Sequence, residues 1–212
     1  MANIQLILGS SSPRRRDLLA TLGLSYITCK PQTVEVPQPG ELPLAYAKRN
    51  AEEKAEWVVS HFVGRGLYPE GFLVISADTI VVLGGDILEK PRDAAHAAQM
   101  LARLSGQKHT VISGVTLSAH PGVQGTVPVS VASKTFAVST QVQIKSLSPR
   151  EIDAYIRTGE PLDKAGGYGA QGIGSYMVER IEGSYSNVVG LPVAEVVREL
   201  EMTFGYPLWD KV

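Results

Sequence analysis

The run from Phe72 to Leu83 is the feature that most restricts how this chain can fold. It is almost wholly apolar and β-branched, the composition of a strand buried in the middle of a sheet. Inside it sit Ser76, Asp78 and Thr79. An ionised carboxylate in such surroundings costs several kcal/mol unless it is paired, metal-bound or at an exposed strand end. Asp78 therefore marks either a functional site or a bulge or turn that releases it to solvent, and local conflicts of this kind concentrate at functional sites. Gly84-Gly85 then signals a two-residue hairpin. It returns the chain through Ile87 and Leu88 to Glu89-Lys90-Pro91 and brings Lys90 within a short hairpin of Asp78.

The N-terminal stretch offers a second constraint. Ile4 to Leu8 reads as a buried strand, Gly9 to Ser12 as a tight loop, and Pro13 as the first residue of a helix capped by Ser11 or Ser12. Leu18, Leu19 and Leu22 give that helix an apolar face, and Gly23 ends it. A strand, a small-residue loop and a helix N-terminus together form an anion site, because free N–H groups and the helix dipole point into the loop. Arg14 and Arg15 oppose that dipole at a cost of up to ~1 kcal/mol each. A bound phosphate would offset the cost; the alternative is a solvated basic cap.

Further along, Ser25 to Cys29 reads as a strand and Lys30 to Gly40 as a proline-containing loop carrying Glu35. Pro43 opens a helix to about Val63 with an apolar stripe of Leu44, Ala47, Ala51, Ala55, Val58 and Phe62. Lys54 stands on the border of that stripe, where lysines usually reach out to water and a minority reach into a cleft. Asp93 caps a helix to Leu104, His109 to Ser118 and Val129 to Ile144 read as strands, and His120 to Pro128 as a linker between them. Ser148-Pro149-Arg150-Glu151 is a capping box that opens a helix to Arg157. Thr158 to Gly174 has no periodicity and is rich in glycine, so it reads as a ligand-binding loop holding Glu160, Asp163, Lys164 and Gln171. Gly167, Gly169 and Gly172 match G-x-G-x-x-G spacing, but no strand precedes and no helix follows, which excludes a dinucleotide fold. Strands are expected at Tyr176 to Ile181 and Ser184 to Val189, a last helix from Leu191-Pro192 to Met202, and a pendant tail to Val212.

Composition excludes some functions. A formal charge of −1 gives no basic field for nucleic acid or anionic membrane. One cysteine, Cys29, rules out an intrachain disulfide and a cysteine-based metal site, and fits a reducing compartment. No apolar segment approaches the ~18 residues of a membrane span. The expectation is one soluble, cytoplasmic domain over residues 1–212, with no nucleic-acid or membrane partner.

Cations and carboxylates dominate the remaining signals. Arg14, Arg15, Lys54, Lys90 and Lys164 are candidate phosphate contacts, while Glu35, Asp78 and Asp163 could hold Mg²⁺ or Mn²⁺ and activate water. Without a cofactor motif, this set suits hydrolysis of a phosphoanhydride, with Asp78 as general base. The motifs Ser10-Ser11-Ser12-Pro13-Arg14-Arg15, Ala77-Asp78-Thr79-Ile80-Val81, Leu88-Glu89-Lys90-Pro91, Leu104-Ser105-Gly106, Gly159 to Gly166 and Asn187 to Pro192 resemble those of the Maf-like nucleoside triphosphate pyrophosphatases, over roughly residues 4 to 203. The resemblance implies an α/β fold with an elongated mixed β-sheet flanked by helices, akin to the inosine triphosphate pyrophosphatases, and a cleft between two lobes. It also implies cleavage of a nucleoside triphosphate to monophosphate and pyrophosphate with a divalent cation, a nucleotide-pool housecleaning role and a homodimer.

By matching motif positions, the resemblance implies that Ser10, Arg15, Lys54, Asp78 and Lys90 carry catalysis and that Glu35, at an acidic functional position, is a metal ligand with Asp78. Arg14, Ser12, Thr79, Lys164 and Gln171 are the expected substrate contacts; of these, Arg14, Thr79 and Gln171 match the branch acting on dTTP and UTP. Gly9 stands where the family usually has Ala, and Ser76 where it usually has Gly. The rival reading is a nucleotide-binding regulator of cell division and septum formation without significant turnover.

Overall fold

The computed structural model describes residues 4–121, 133–206 and 208. Among these residues, seven strands form one mixed sheet in the order β2-β1-β3-β5-β6-β7, with β4 attached to β3. Strands β1 (Gln5–Gly9), β2 (Tyr26–Thr28) and β3 (Gly71–Leu83) run parallel. Strands β4 (Asp86–Leu88), β5 (Lys108–Pro121), β6 (Ser133–Ile144) and β7 (Val178–Glu182) are added antiparallel to their neighbours. Thirteen residues of β3 make a strand roughly 40 Å long, and the elongated sheet follows from it.

Helix α2 (Pro43–Val63) crosses one face of this sheet. Ala47, Ala51 and Ala55 are buried, and the helix comes so near β5 that a Cβ on Gly114 would lie 2.1 Å from Ala47 O. The opposite face carries two separate cores. One gathers Leu73, Ile75 and Ala77 of β3 with Leu19 of α1 (Pro13–Ala20) and Leu200 of α6 (Val193–Met202). The other gathers Val81 with Leu101 and Leu104 of α3 (Ala94–Leu104) and Tyr155 of α4 (Pro149–Arg157). The two lobes thus share the long strands, and Thr79 lies between their cores.

The cleft opens where the sheet has a gap. β1 pairs with Phe72 to Ser76, and β4 pairs with Val81 to Leu83. Residues 77–80 have β5 on one side and, among the described residues, no strand on the other. Asp78 and Thr79 fall in that gap.

Four expectations change. Ser184 to Val189 is not a strand: Ser184 caps a short helix, α5 (Tyr185–Val189), and the buried Asn187 amide donates to Val111 O at 3.2 Å and Thr140 Oγ1 at 3.0 Å. The β-propensity of this segment yields to those bonds, which a strand would not place. The expected strand from Tyr176 begins only at Val178, because Gly172–Met177 coils into a 3₁₀ helix. The glycine-rich segment is partly packed, with 3₁₀ turns at Glu160–Asp163 and Ala165–Gly167 and with Gly166, Gly167 and Tyr168 buried. The tail is not pendant where described, since Phe204, Tyr206 and Leu208 are buried in the first core. Residues 122–132 and 209–212 lie outside the described set, and with them most of the expected linker.

Candidate active site

The cleft has a volume of about 450 Å³ and is walled by the β1–α1 loop and the start of α1, the loop carrying Glu35, Lys54 of α2, the middle of β3, the segment after β4, the glycine-rich loop and the chain at residues 188–190. Each expected site residue, Ser10, Ser12, Arg14, Arg15, Glu35, Lys54, Asp78, Thr79, Lys90, Lys164 and Gln171, lines it.

At the centre, Lys54 Nζ lies 2.7 Å from Asp78 Oδ1 and 2.9 Å from Glu35 Oε1. Lys54 is only 7% exposed, so it does not reach out to water but bridges two carboxylates. The Asn50 amide donates to Asp78 Oδ2 at 2.9 Å. Burial pushes the Asp78 carboxyl up, but Lys54, Asn50 and Arg15 more than offset this and hold it below the ordinary carboxylate range. Asp78 is therefore ionised at neutral pH.

On the other side of the strand, Arg15 donates through Nε to Gly190 O at 2.8 Å and through Nη2 to Thr79 Oγ1 at 3.1 Å. Its Nη1 lies 3.4 Å from Ser10 Oγ. Thr79 Oγ1 also meets Ser113 Oγ at 2.8 Å and Gly190 O at 3.2 Å, so this hydroxyl is engaged in holding Arg15. Ser10 Oγ accepts from Ser12 N and from Arg15, which leaves its own proton available for a ligand oxygen. Ser12 is the N-cap of α1, accepting from Arg15 N at 3.5 Å.

The glycine-rich loop folds around its own acidic residues. Glu160 accepts from Ile173 N, Gly174 N and the Tyr155 hydroxyl at 3.0 to 3.2 Å. Asp163 pairs with Arg14 Nη1 at 2.8 Å and Lys164 Nζ at 2.7 Å, tying the first loop to this one across the cleft. Lys90 and Gln171 are exposed on the cleft wall.

Asn50 and Glu89 were not among the expected site residues. Asn50 lies one turn before Lys54 on α2, a buried amide among alanines, and that spacing was the signal that could have found it. Glu89 lines the cleft with Oε1 buried and unpartnered; burial pushes its carboxyl up and the charge on Asp78 adds to that. No group of three or more His, Cys, Asp or Glu forms a ready-made metal cage among the described residues. The carboxylate oxygens of Glu35 and Asp78, which meet at Lys54, are the donor type a hard cation takes, and substrate phosphates would have to complete its coordination.

The sequence matches the family model described as Maf-like protein over residues 5–203. The chain belongs to the Maf family. Its relatives include a protein of Anaeromyxobacter sp. (strain Fw109-5), 47% identical over 97% of this chain and 93% of the relative. A protein of Yersinia pestis bv. Antiqua (strain Antiqua) is 46% identical over 90% of this chain and 88% of its own length. One from Geobacter sulfurreducens is 45% identical over 92% and 95%, respectively. Each of the three is named a dTTP/UTP pyrophosphatase. In this Maf chain the middle of β3 supplies the carboxylate, and the start of α1, Lys54 of α2, the segment after β4 and the glycine-rich loop supply the cations around it.

Proposed function

We propose that this chain hydrolyses nucleoside triphosphates, dTTP and UTP best, to the monophosphate and pyrophosphate with the help of Mg²⁺ or Mn²⁺. The observation that carries the reading is Asp78, an ionised carboxylate held by Lys54 and Asn50 in a cleft ringed by Arg14, Arg15, Lys90 and Lys164. A site built only to hold phosphates has no use for a carboxylate there, which would repel them. The names of the relatives agree with this chemistry.

Each Asp78 oxygen accepts one hydrogen bond, from Lys54 or Asn50, and retains a lone pair for a water. Asp78 orients that water and takes its proton as the water attacks phosphorus. Ser10, Arg15 and Lys90 stabilise charge on the phosphate oxygens. Glu35 and Asp78 would hold the divalent cation, with Glu89 beside them; when bound, the cation neutralises phosphate charge and lowers the pKa of its water. Arg14, Ser12, Thr79, Lys164 and Gln171 shape the remainder of the substrate site. The reading includes a cytoplasmic homodimer engaged in nucleotide-pool housecleaning, with sedimentation as the check on assembly. No helix among the described residues is long and apolar enough to cross a membrane.

Phosphorus NMR of the products of dTTP tests the reaction. Pyrophosphate and dTMP are expected; orthophosphate as first product would make the protein a γ-phosphatase, and no turnover would favour the regulator.

A further inference from the structure

Residues 29–42, which carry Glu35, form no helix or strand. Val34, Val36 and Leu42 are 78%, 59% and 72% exposed, so this stretch is not anchored by these apolar side chains. Ordering it still costs about 1–2 kcal/mol per residue. Glu35 nevertheless arrives at Lys54 with its carboxylate 2.9 Å away.

Arg49 of α2 supplies the missing hold. Its Nη2 donates to Val36 O at 3.0 Å, the carbonyl next to Glu35. Its Nε and Nη2 form a fork on Glu41, both at 2.7 Å. Glu41 in turn accepts from Gln38 N at 3.0 Å, closing the turn between the two grips. The Arg49 fork pulls the Glu41 carboxyl down to about 2, so the pair stays ionised at neutral pH. The guanidinium is pinned to its own helix by Glu53, 2.9 Å from Nη1, and by the Tyr46 ring, 5.4 Å away. A planar fork held on one side by the helix can fix a loop on the other, which a lysine cannot reproduce.

We infer that Arg49 is a positioning residue that fixes the 36–41 segment so that Glu35 meets Lys54 and Asp78 in the cleft. The inference rests on the proposed function for its effect on turnover, but not for its effect on the loop. An ordinary surface ion pair would contribute ~0–1 kcal/mol of stability and would not couple to Glu35.

The test uses the full chain as Arg49→Ala, Arg49→Lys, Glu41→Gln, Glu35→Gln and the double variant Glu35→Gln/Arg49→Ala. Amide hydrogen exchange in residues 31–42 should accelerate in Arg49→Ala and Glu41→Gln, with Arg49→Lys between them and wild type and the second half of α2 unchanged. With dTTP and Mg²⁺, Arg49→Ala should lose roughly 10–100-fold in kcat/KM, the range for groups that orient a ligand set. In the Glu35→Gln background the same substitution should cost less than about twofold, the sign of one shared route. Unchanged exchange in 31–42, or an equal loss in both backgrounds, overturns the inference. Full activity of Glu35→Gln would instead remove Glu35 from the cleft chemistry, and the exchange data would still decide whether Arg49 holds the loop.

Discussion

Gly9 of β1 and Ser76 of β3 stand opposite each other in the sheet, and a Cβ on Gly9 would lie 2.3 Å from Ser76 Oγ. The resemblance read from the sequence leads one to expect Ala at the first position and Gly at the second, where this chain has Gly and Ser. The structure joins them into one exchange: the methyl absent from one strand makes room for the hydroxymethyl on the other.

Gly9→Ala alone should therefore destabilise the protein by about 1–3 kcal/mol through overpacking. Gly9→Ala combined with Ser76→Gly should recover most of that, since the remaining close neighbour, Val58 Cγ2 at 3.2 Å, needs to yield only slightly. Urea midpoints of the single and double variants measure the coupling. A single variant as stable as wild type would refute it.

Asp78→Asn should fold and lose at least ~10²-fold in kcat, the lower range for removal of a general base. Lys54→Met should behave differently. It leaves Asp78 buried without its main cation, so about 3–5 kcal/mol of stability should go and the acid limb of the pH–rate profile should move up. Near-wild-type turnover in a folded Asp78→Asn protein would remove Asp78 from its role; unchanged stability of Lys54→Met would show the pair to be solvated.

His109 sets a pH dependence of its own. It is 2% exposed, its Nε2 meets the Tyr168 hydroxyl at 2.7 Å and its Nδ1 has no partner. Burial lowers its pKa to about 4 from 6.5. Between those values the unfolded chain binds a proton that the folded chain refuses, so stability contributed at pH 7 is lost as pH falls from about 6.5 to about 4. The loss is on the order of 3 kcal/mol. His109→Gln should remove that slope. Denaturant titrations at pH 7 and pH 5 with equal slopes for both proteins would contradict the assignment.

Gln171 is exposed on the cleft wall. Its amide offers a donor and an acceptor that match two atoms of the acceptor–donor–acceptor edge shared by uracil and thymine. UTP and dTTP should be hydrolysed best, and Gln171→Ala should flatten the preference over CTP more than it lowers kcat, since the donor at position 4 of cytosine leaves one of the two pairs mismatched. A wild-type preference for any purine triphosphate would overturn the assignment.

Signals contained within one element were legible in the sequence. The apolar run to Leu83, the capping box of Ser148 and Glu151, Pro43 opening α2 and the glycine hairpin after β3 all depend on neighbours a few residues away, and all are present. So was the conflict at Asp78, because a carboxylate among valines and isoleucines is anomalous whatever surrounds it. What the sequence by itself determined was therefore the elements whose signals are local and the chemical types that meet in the cleft. Only the tertiary structure decided the pairings. Lys54 could have faced water, and it turns inward because β3 places a buried carboxylate under α2. Ser184 to Val189 could have extended, and it coils because Asn187 finds Val111 and Thr140 from a helix. The tail could have been free, and it is held because Phe204, Tyr206 and Leu208 close a core left open by the sheet. In each case the deciding partner lies tens of residues or more away in the chain, and its contribution exceeds the fraction of a kcal/mol by which local propensity favours one conformation over another.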